Sequence, residues 1–203
     1  MSTTFLLSRP QMTRLQGLAS AAVGEVSRGL TEMFSAAVAV TALHVRVVEL
    51  SEVPSLVGSP ELEVVAVYLI AEGELPAQLL LLMEYPTALE LCDILLELPS
   101  GTTEALGEME ESALGEVGNI VGSFFLNSLA ESVGVHLPIT PPTIAADMAG
   151  AAIGIALTEV AMFADEAVVI DANFEHQGRR LPAWFMAFPH PDQLRAALDK
   201  GTF

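Results

Sequence analysis

Ser112, Glu116 and Asn119 stand out in the run Ser-Ala-Leu-Gly-Glu-Val-Gly-Asn because three polar side chains recur at i, i+4 and i+7 among apolar neighbours. That spacing puts all three on one face of a helix. Helix stability does not explain the choice. Asparagine competes for backbone hydrogen bonds inside a helix, and Gly115, Gly118 and Gly122 each cost about 1 kcal/mol relative to alanine. The glycines lower the relief of the helix surface, as notches for packing, as a surface that a partner protein can approach, or as both on opposite sides of the helix. Other chemistries lack their residues. His44, His136, His176 and His190 are scattered without metal-ligand spacing, and neither a Gly-x-Ser-x-Gly nor a phosphate-loop motif occurs. Cys92, the one cysteine, sits in the pattern Leu89-x-x-Cys92-x-x-Leu95-Leu96, as a core thiol would.

Ser112-x3-Glu116-x2-Asn119, followed after 22 residues by Pro142, resembles the signature of the CheC/CheX/FliY chemotaxis phosphatases: Asp or Ser, then Glu, Asn and Pro. Four residue types fall at fixed offsets over 31 positions. The resemblance extends over nearly the whole chain, including two long helices and a closing strand followed by Phe188-Pro-His-Pro191 and a short helix.

It implies a phosphatase acting on the phospho-aspartate of a CheY-like response regulator in chemotaxis and motility signalling. By the resemblance, Asn119 orients the attacking water, since an amide offers both a donor and an acceptor without being a strong base. Glu116 pairs with the regulator's lysine and so fixes the register of docking. Ser112 supports Glu116 or the helix, and Pro142 shapes the neighbouring loop. Magnesium is expected in the acidic pocket of the regulator, with no metal or cofactor ligand in this chain. The alternative is a non-catalytic adaptor that binds CheD, CheY-like regulators or the flagellar switch. An earlier helix departs from the signature, with Gly17 for Glu, Ser20 for Asn and Leu43 at the proline position, which implies one active centre.

Composition narrows the partners. The chain has 203 residues, 26 of them acidic against 8 basic, for a formal net charge of -18. Phosphate backbones would be repelled, and Arg179-Arg180 is the longest basic run, so nucleic-acid binding lacks its electrostatic footprint. Charged partners should present positive surface. Mean hydropathy is high at +0.52, yet no apolar run approaches the ~18 residues of a spanning helix. The N-terminus reverses the charge order of a signal peptide, with Arg9 after Phe5 to Leu7. A cytoplasmic protein is expected.

A 3.6-residue period predicts a helix from about Gln11 to Ala36, with Leu15, Leu18, Ala22, Val26, Leu30 and Met33 or Phe34 on one stripe and Pro10 near its start. Strands follow at about 41–51, 61–72 and 74–85, with Gly73 at the turn between the last two. Pro86 opens a short helix to about Leu98. Thr102 or Thr103 then caps a second long helix reaching about Ser132. A small-residue helix is expected from about Ala145 to Leu157, then strands at about 166–176 and 181–188 across Gln177-Gly178, and a last helix after Pro191. Long helix, strands and short helix thus occur twice, as pseudo-repeats at about 11–98 and 103–203 within one domain. The matching phase lays Thr13 on Ser112, Gly17 on Glu116, Ser20 on Asn119 and Leu30 on Leu129. The expected fold is α+β, with two long helices packed on one face of a largely antiparallel sheet.

Overall fold

The computed structural model describes residues 7–34, 38–134, 136–176 and 179–200. In chain order it contains α1 (Arg9–Phe34), β1 (Val38–Glu49), a 3-10 turn (Val53–Val57), β2 (Glu63–Ala71), β3 (Ala77–Glu84) and α2 (Tyr85–Leu95). The second half contains α3 (Glu108–Val133), β4 (Thr143–Met148), α4 (Ala149–Leu157), a 3-10 turn (Val160–Met162), β5 (Glu166–His176), β6 (Arg179–Pro189) and α5 (Pro191–Lys200). The strands form a six-stranded sheet in the order β1-β5-β6-β3-β2-β4, and each neighbouring pair is antiparallel. Exchanging β1 with β4, β2 with β5 and β3 with β6 reproduces that order read backwards. α1 and α3 therefore hold equivalent places in the two halves.

Both faces of the sheet are covered. Val65, Val67 and Leu69 of β2 point to the face that carries α1, α2, α3 and α5, while Val64 and Ala66 point to α4 and the 3-10 turns. This explains the uninterrupted apolar runs: strands buried on both sides have no polar alternation to keep. The predicted α1 stripe of Leu15, Leu18, Ala22, Val26 and Leu30 is buried; the side chains of Met33 and Phe34, and residues 35–37, lie outside the described residues. Helix α1 starts on a local signal ahead of Pro10. Ser8 N–H donates to Gln11 Oε1 at 2.8 Å, and the Gln11 N–H returns to Ser8 Oγ at 3.4 Å, a capping box.

Two expectations need correction. α3 begins at Glu108, with Gly107 N–H donating to Glu110 Oε2 at 3.0 Å. Neither Thr102 nor Thr103 caps it. Their N–H groups go to the buried Asp93 carboxylate at 3.2 and 2.8 Å, joined by Gly101 at 2.6 Å, so the threonines order the α2–α3 loop instead. The second correction is β4, expected as part of a helix. Residues 143–148 pair antiparallel with β2, from Glu63 opposite Met148 to Tyr68 opposite Thr143, and the helix begins only at Ala149. Tertiary pairing at the sheet edge decides the conformation of Ile144-Ala-Ala, whose local propensity for strand is slight.

Candidate functional site

The signature helix sits low on the sheet, and its glycines are the cause. A methyl group on Gly118 would come within 2.5 Å of Val67 Cγ1, and one on Gly122 within 2.8 Å of Ile139 Cδ1. Gly115 faces the loop, where an added Cβ would lie 3.4 Å from Pro142 Cγ and 3.3 Å from Ile144 Cδ1. Gly118 and Gly122 are packing notches, whereas Gly115 lines the depression that Glu116 and Asn119 face. Leu114, Val117, Val121 and Phe125 fill the same inward face. Ser112 and Glu116 are consequently exposed, and Asn119 is half-buried.

The signature proline is brought to them by a loop hung on β2. Thr140 N–H donates to Ile70 O at 3.0 Å, Ile70 N–H returns to Thr140 Oγ1 at 3.0 Å, and Glu72 N–H donates to Pro138 O at 2.8 Å. Gly73 makes this approach possible: at φ +92°, a Cβ there would fall 2.6 Å from His136 O. The result is an open depression of about 710 Å³ in which Ser112, Glu116 and Asn119 of α3 face Thr140, Pro141 and Pro142. All four signature residues line it. Among the described residues no hydrogen bond holds the Glu116 carboxylate or the Asn119 amide, and none joins Ser112 to Glu116. The Gly115–Pro142 contact escapes a sequence reading, although the glycine's position one residue before Glu116 is its trace.

The electrostatics are one-sided. Glu108 and Glu111 line the depression with Glu116, and all three are exposed. Acidic residues at the start of α3 also complement its positive N-terminal end. Behind the helix, burial first, then the charges of Glu110 and Asp93, push the Cys92 thiol up to about 11. It is a neutral core side chain at physiological pH. The Thr103 side chain, followed by the backbone N–H groups of Thr103, Gly101 and Thr102, holds the Asp93 carboxyl below its ordinary range.

On α1, Thr13, Gly17 and Ser20 are exposed at the equivalent positions. The depression beside Ser20 is bounded by Gln16, His44, Val45 and Arg46. The Arg46 guanidinium binds Asp171 in two-point fashion at 2.9 and 2.7 Å, and His44 Nδ1 lies 3.3 Å from the same carboxylate. Asp171 is 4% exposed. Leu43 belongs to β1, and its side chain lies outside the described residues. No described group of His, Cys, Asp and Glu residues is arranged to hold a metal ion, and no described helix is long and apolar enough to cross a membrane.

Residues 109–145, which include the four signature positions, match the model of the CheC-like family. The chain is 24% identical over 188 residues to the CheY-P phosphatase CheC of Bacillus subtilis (strain 168), covering 92% of this chain and 90% of that one. Its fold is similar to that of Thermotoga maritima FliY, with a TM-score of 0.72 at 20% identity, 96% of this chain and 97% of that one being covered. The FliM middle domain of H. pylori is similar at a TM-score of 0.63 and 16% identity, with 96% and 99% covered. Family model, relative and fold all point the same way, and each makes the chain similar to the CheC-like family.

Proposed function

We propose that this protein hydrolyses the phospho-aspartate of a CheY-like response regulator, with Asn119 positioning the attacking water and Glu116 docking on the regulator's lysine. The observation that carries the reading is the pair itself. A carboxylate and an amide stand on one outward helix face, one turn apart, without hydrogen-bond partners among the described residues, beside Pro142 in a depression open to a large ligand. Phosphoryl transfer depends on position and electrostatics more than on covalent help from the enzyme. The Asn119 carbonyl accepts a hydrogen bond from the water and so aims its lone pair at phosphorus. The water oxygen bonds to phosphorus, the bond between phosphorus and the aspartyl oxygen breaks, and the carboxylate leaves as inorganic phosphate forms. Magnesium supplies charge neutralisation from the regulator's own acidic pocket. Ser112 and Pro142 border the site as supporting residues. Regulator binding would draw a cationic partner surface to Glu108, Glu111 and Glu116, consistent with a chain of net charge -18.

A second reading is a non-catalytic adaptor that binds CheD, a CheY-like regulator or the flagellar switch; the shared fold with FliY and the FliM middle domain favours it. One experiment separates the two. The protein is mixed with a panel of phosphorylated response regulators from its own organism, and phosphate loss is followed. Accelerated decay of one regulator, abolished by Asn119→Ala, supports the phosphatase. Binding without accelerated decay of any regulator supports the adaptor.

A further inference from the structure

The ridge formed by Ser112 and Glu116 has a second side. Beyond it from Asn119 and Pro142 lies another shallow depression, bounded by Leu95 and Leu96 from the end of α2 and by Met109 and Ala113 of α3, with Ser112 and Glu116 on its near wall. Met109 is 66% exposed and Leu98, just beyond α2, is 39% exposed. These apolar groups are fixed in place. Asp93 gathers the loop after Leu98 through three backbone N–H bonds, Leu98 N–H donates to Asp93 O at 2.8 Å, and Glu110 ties down the turn that presents Met109. A preordered apolar surface loses little entropy on binding, and an exposed methionine adapts to the shape of what covers it.

We infer that this shelf is the specificity-determining half of the regulator docking surface, an inference that rests on the phosphatase reading above. Its occupant is the phosphorylated receiver domain, through an apolar side chain standing about 10 Å from the receiver's lysine, the distance that two helical turns set between Met109 and Glu116. Two observations select this occupant. The shelf is continuous with the site, since both depressions share Glu108, Ser112 and Glu116. Exposed Glu108 and Glu116 line it beside the apolar groups, so a surface that covers it must be apolar at its centre and basic at its rim. Receivers lacking that apolar side chain are discriminated against by binding, with Asn119 chemistry unaltered.

The test uses the regulator found by the panel, in its phosphorylated form for turnover and charged with beryllium fluoride for equilibrium binding. Met109→Ser should raise Kd and KM about tenfold while kcat moves by less than about twofold. Met109→Lys should weaken binding further, by placing a cation against the basic rim of the receiver. Met162→Ser, an equally bare methionine at 74% exposure on the far face of the sheet, should leave both constants unchanged. Unchanged Kd and KM in both Met109 variants, with wild-type turnover intact and Asn119→Ala inactive, overturns the shelf and leaves the phosphatase standing. A wild-type protein that neither binds the charged regulator nor turns over the phosphorylated one overturns both.

Discussion

α1 and α3 are each 26 residues long, hold equivalent places in the sheet order and bury Leu30 and Leu129 at matching positions, but they present opposite surfaces. On α3 the outward face carries Glu116 and Asn119, with no hydrogen-bond partner among the described residues and a proline-walled depression before them. On α1 the outward face carries Gly17 and Ser20, and the adjoining depression is bounded by Arg46 and His44, both turned to the buried Asp171. Their glycines differ as well. Gly118 and Gly122 are notches over the sheet, Gly17 has nothing within 4 Å, and the close approach of α1 is at Gly29, where a Cβ would meet the Phe124 ring of α3 at 2.2 Å. Equivalent scaffolds thus differ: α3 presents a carboxylate and an amide outward, whereas beside α1 the depression is bounded by Arg46 of β1, paired with Asp171 of β5.

Four substitutions would break or sharpen that contrast. Glu116→Lys should have the largest effect, lowering affinity for the charged regulator about a hundredfold, or about 2.7 kcal/mol, by like-charge repulsion with its lysine. Titration of the regulator measures this, and retained affinity would remove the contact. Arg46→Ala should leave turnover intact but destabilise the fold by about 2 kcal/mol in urea unfolding, because the buried Asp171 carboxylate loses the guanidinium that binds it at two points. A loss of turnover with normal stability would show instead that the first depression has a functional role. Gly118→Ala should cost about 1 kcal/mol net, since the clash with Val67 on a fixed strand outweighs the gain in helix propensity. Gly17→Ala should do the reverse, raising stability by about 0.5–1 kcal/mol at an exposed helical position with open space around it. Thermal melts of the two alanine variants, one shifted down and one up, check the pair together.

The parts legible in the sequence were those written in local pattern. The stripe from Leu15 to Leu30 has a strict helical period, Gly73 marks a turn that needs positive φ, and the spacing from Ser112 to Asn119 already implies a shared face. Elements fixed by distant partners were not legible. Thr143–Met148 is a strand because β2 offers it an edge, and nothing in Ile144-Ala-Ala-Asp says so. Thr102 and Thr103 have the residue type of helix caps, but Asp93 captures their N–H groups from nine and ten residues away, leaving the start of α3 to Gly107 and Glu110. The direction of the glycines was also hidden, since helical spacing alone does not tell a sheet-facing notch from a partner-facing one. Nor does the sequence reveal that Met109 adjoins Leu95 and Leu96, because the loop between α2 and α3 brings them together.

The central claim is that one helix carries the chemistry and its equivalent does not. The initial rate of phospho-regulator decay, compared among wild type, Asn119→Ala and Ser20→Ala at matched stability, tests it most directly. The account predicts that Asn119→Ala falls to the uncatalysed rate, because an alanine methyl holds no water, while Ser20→Ala keeps the wild-type rate. Loss of activity in Ser20→Ala as large as that in Asn119→Ala, or full activity in both, would contradict it.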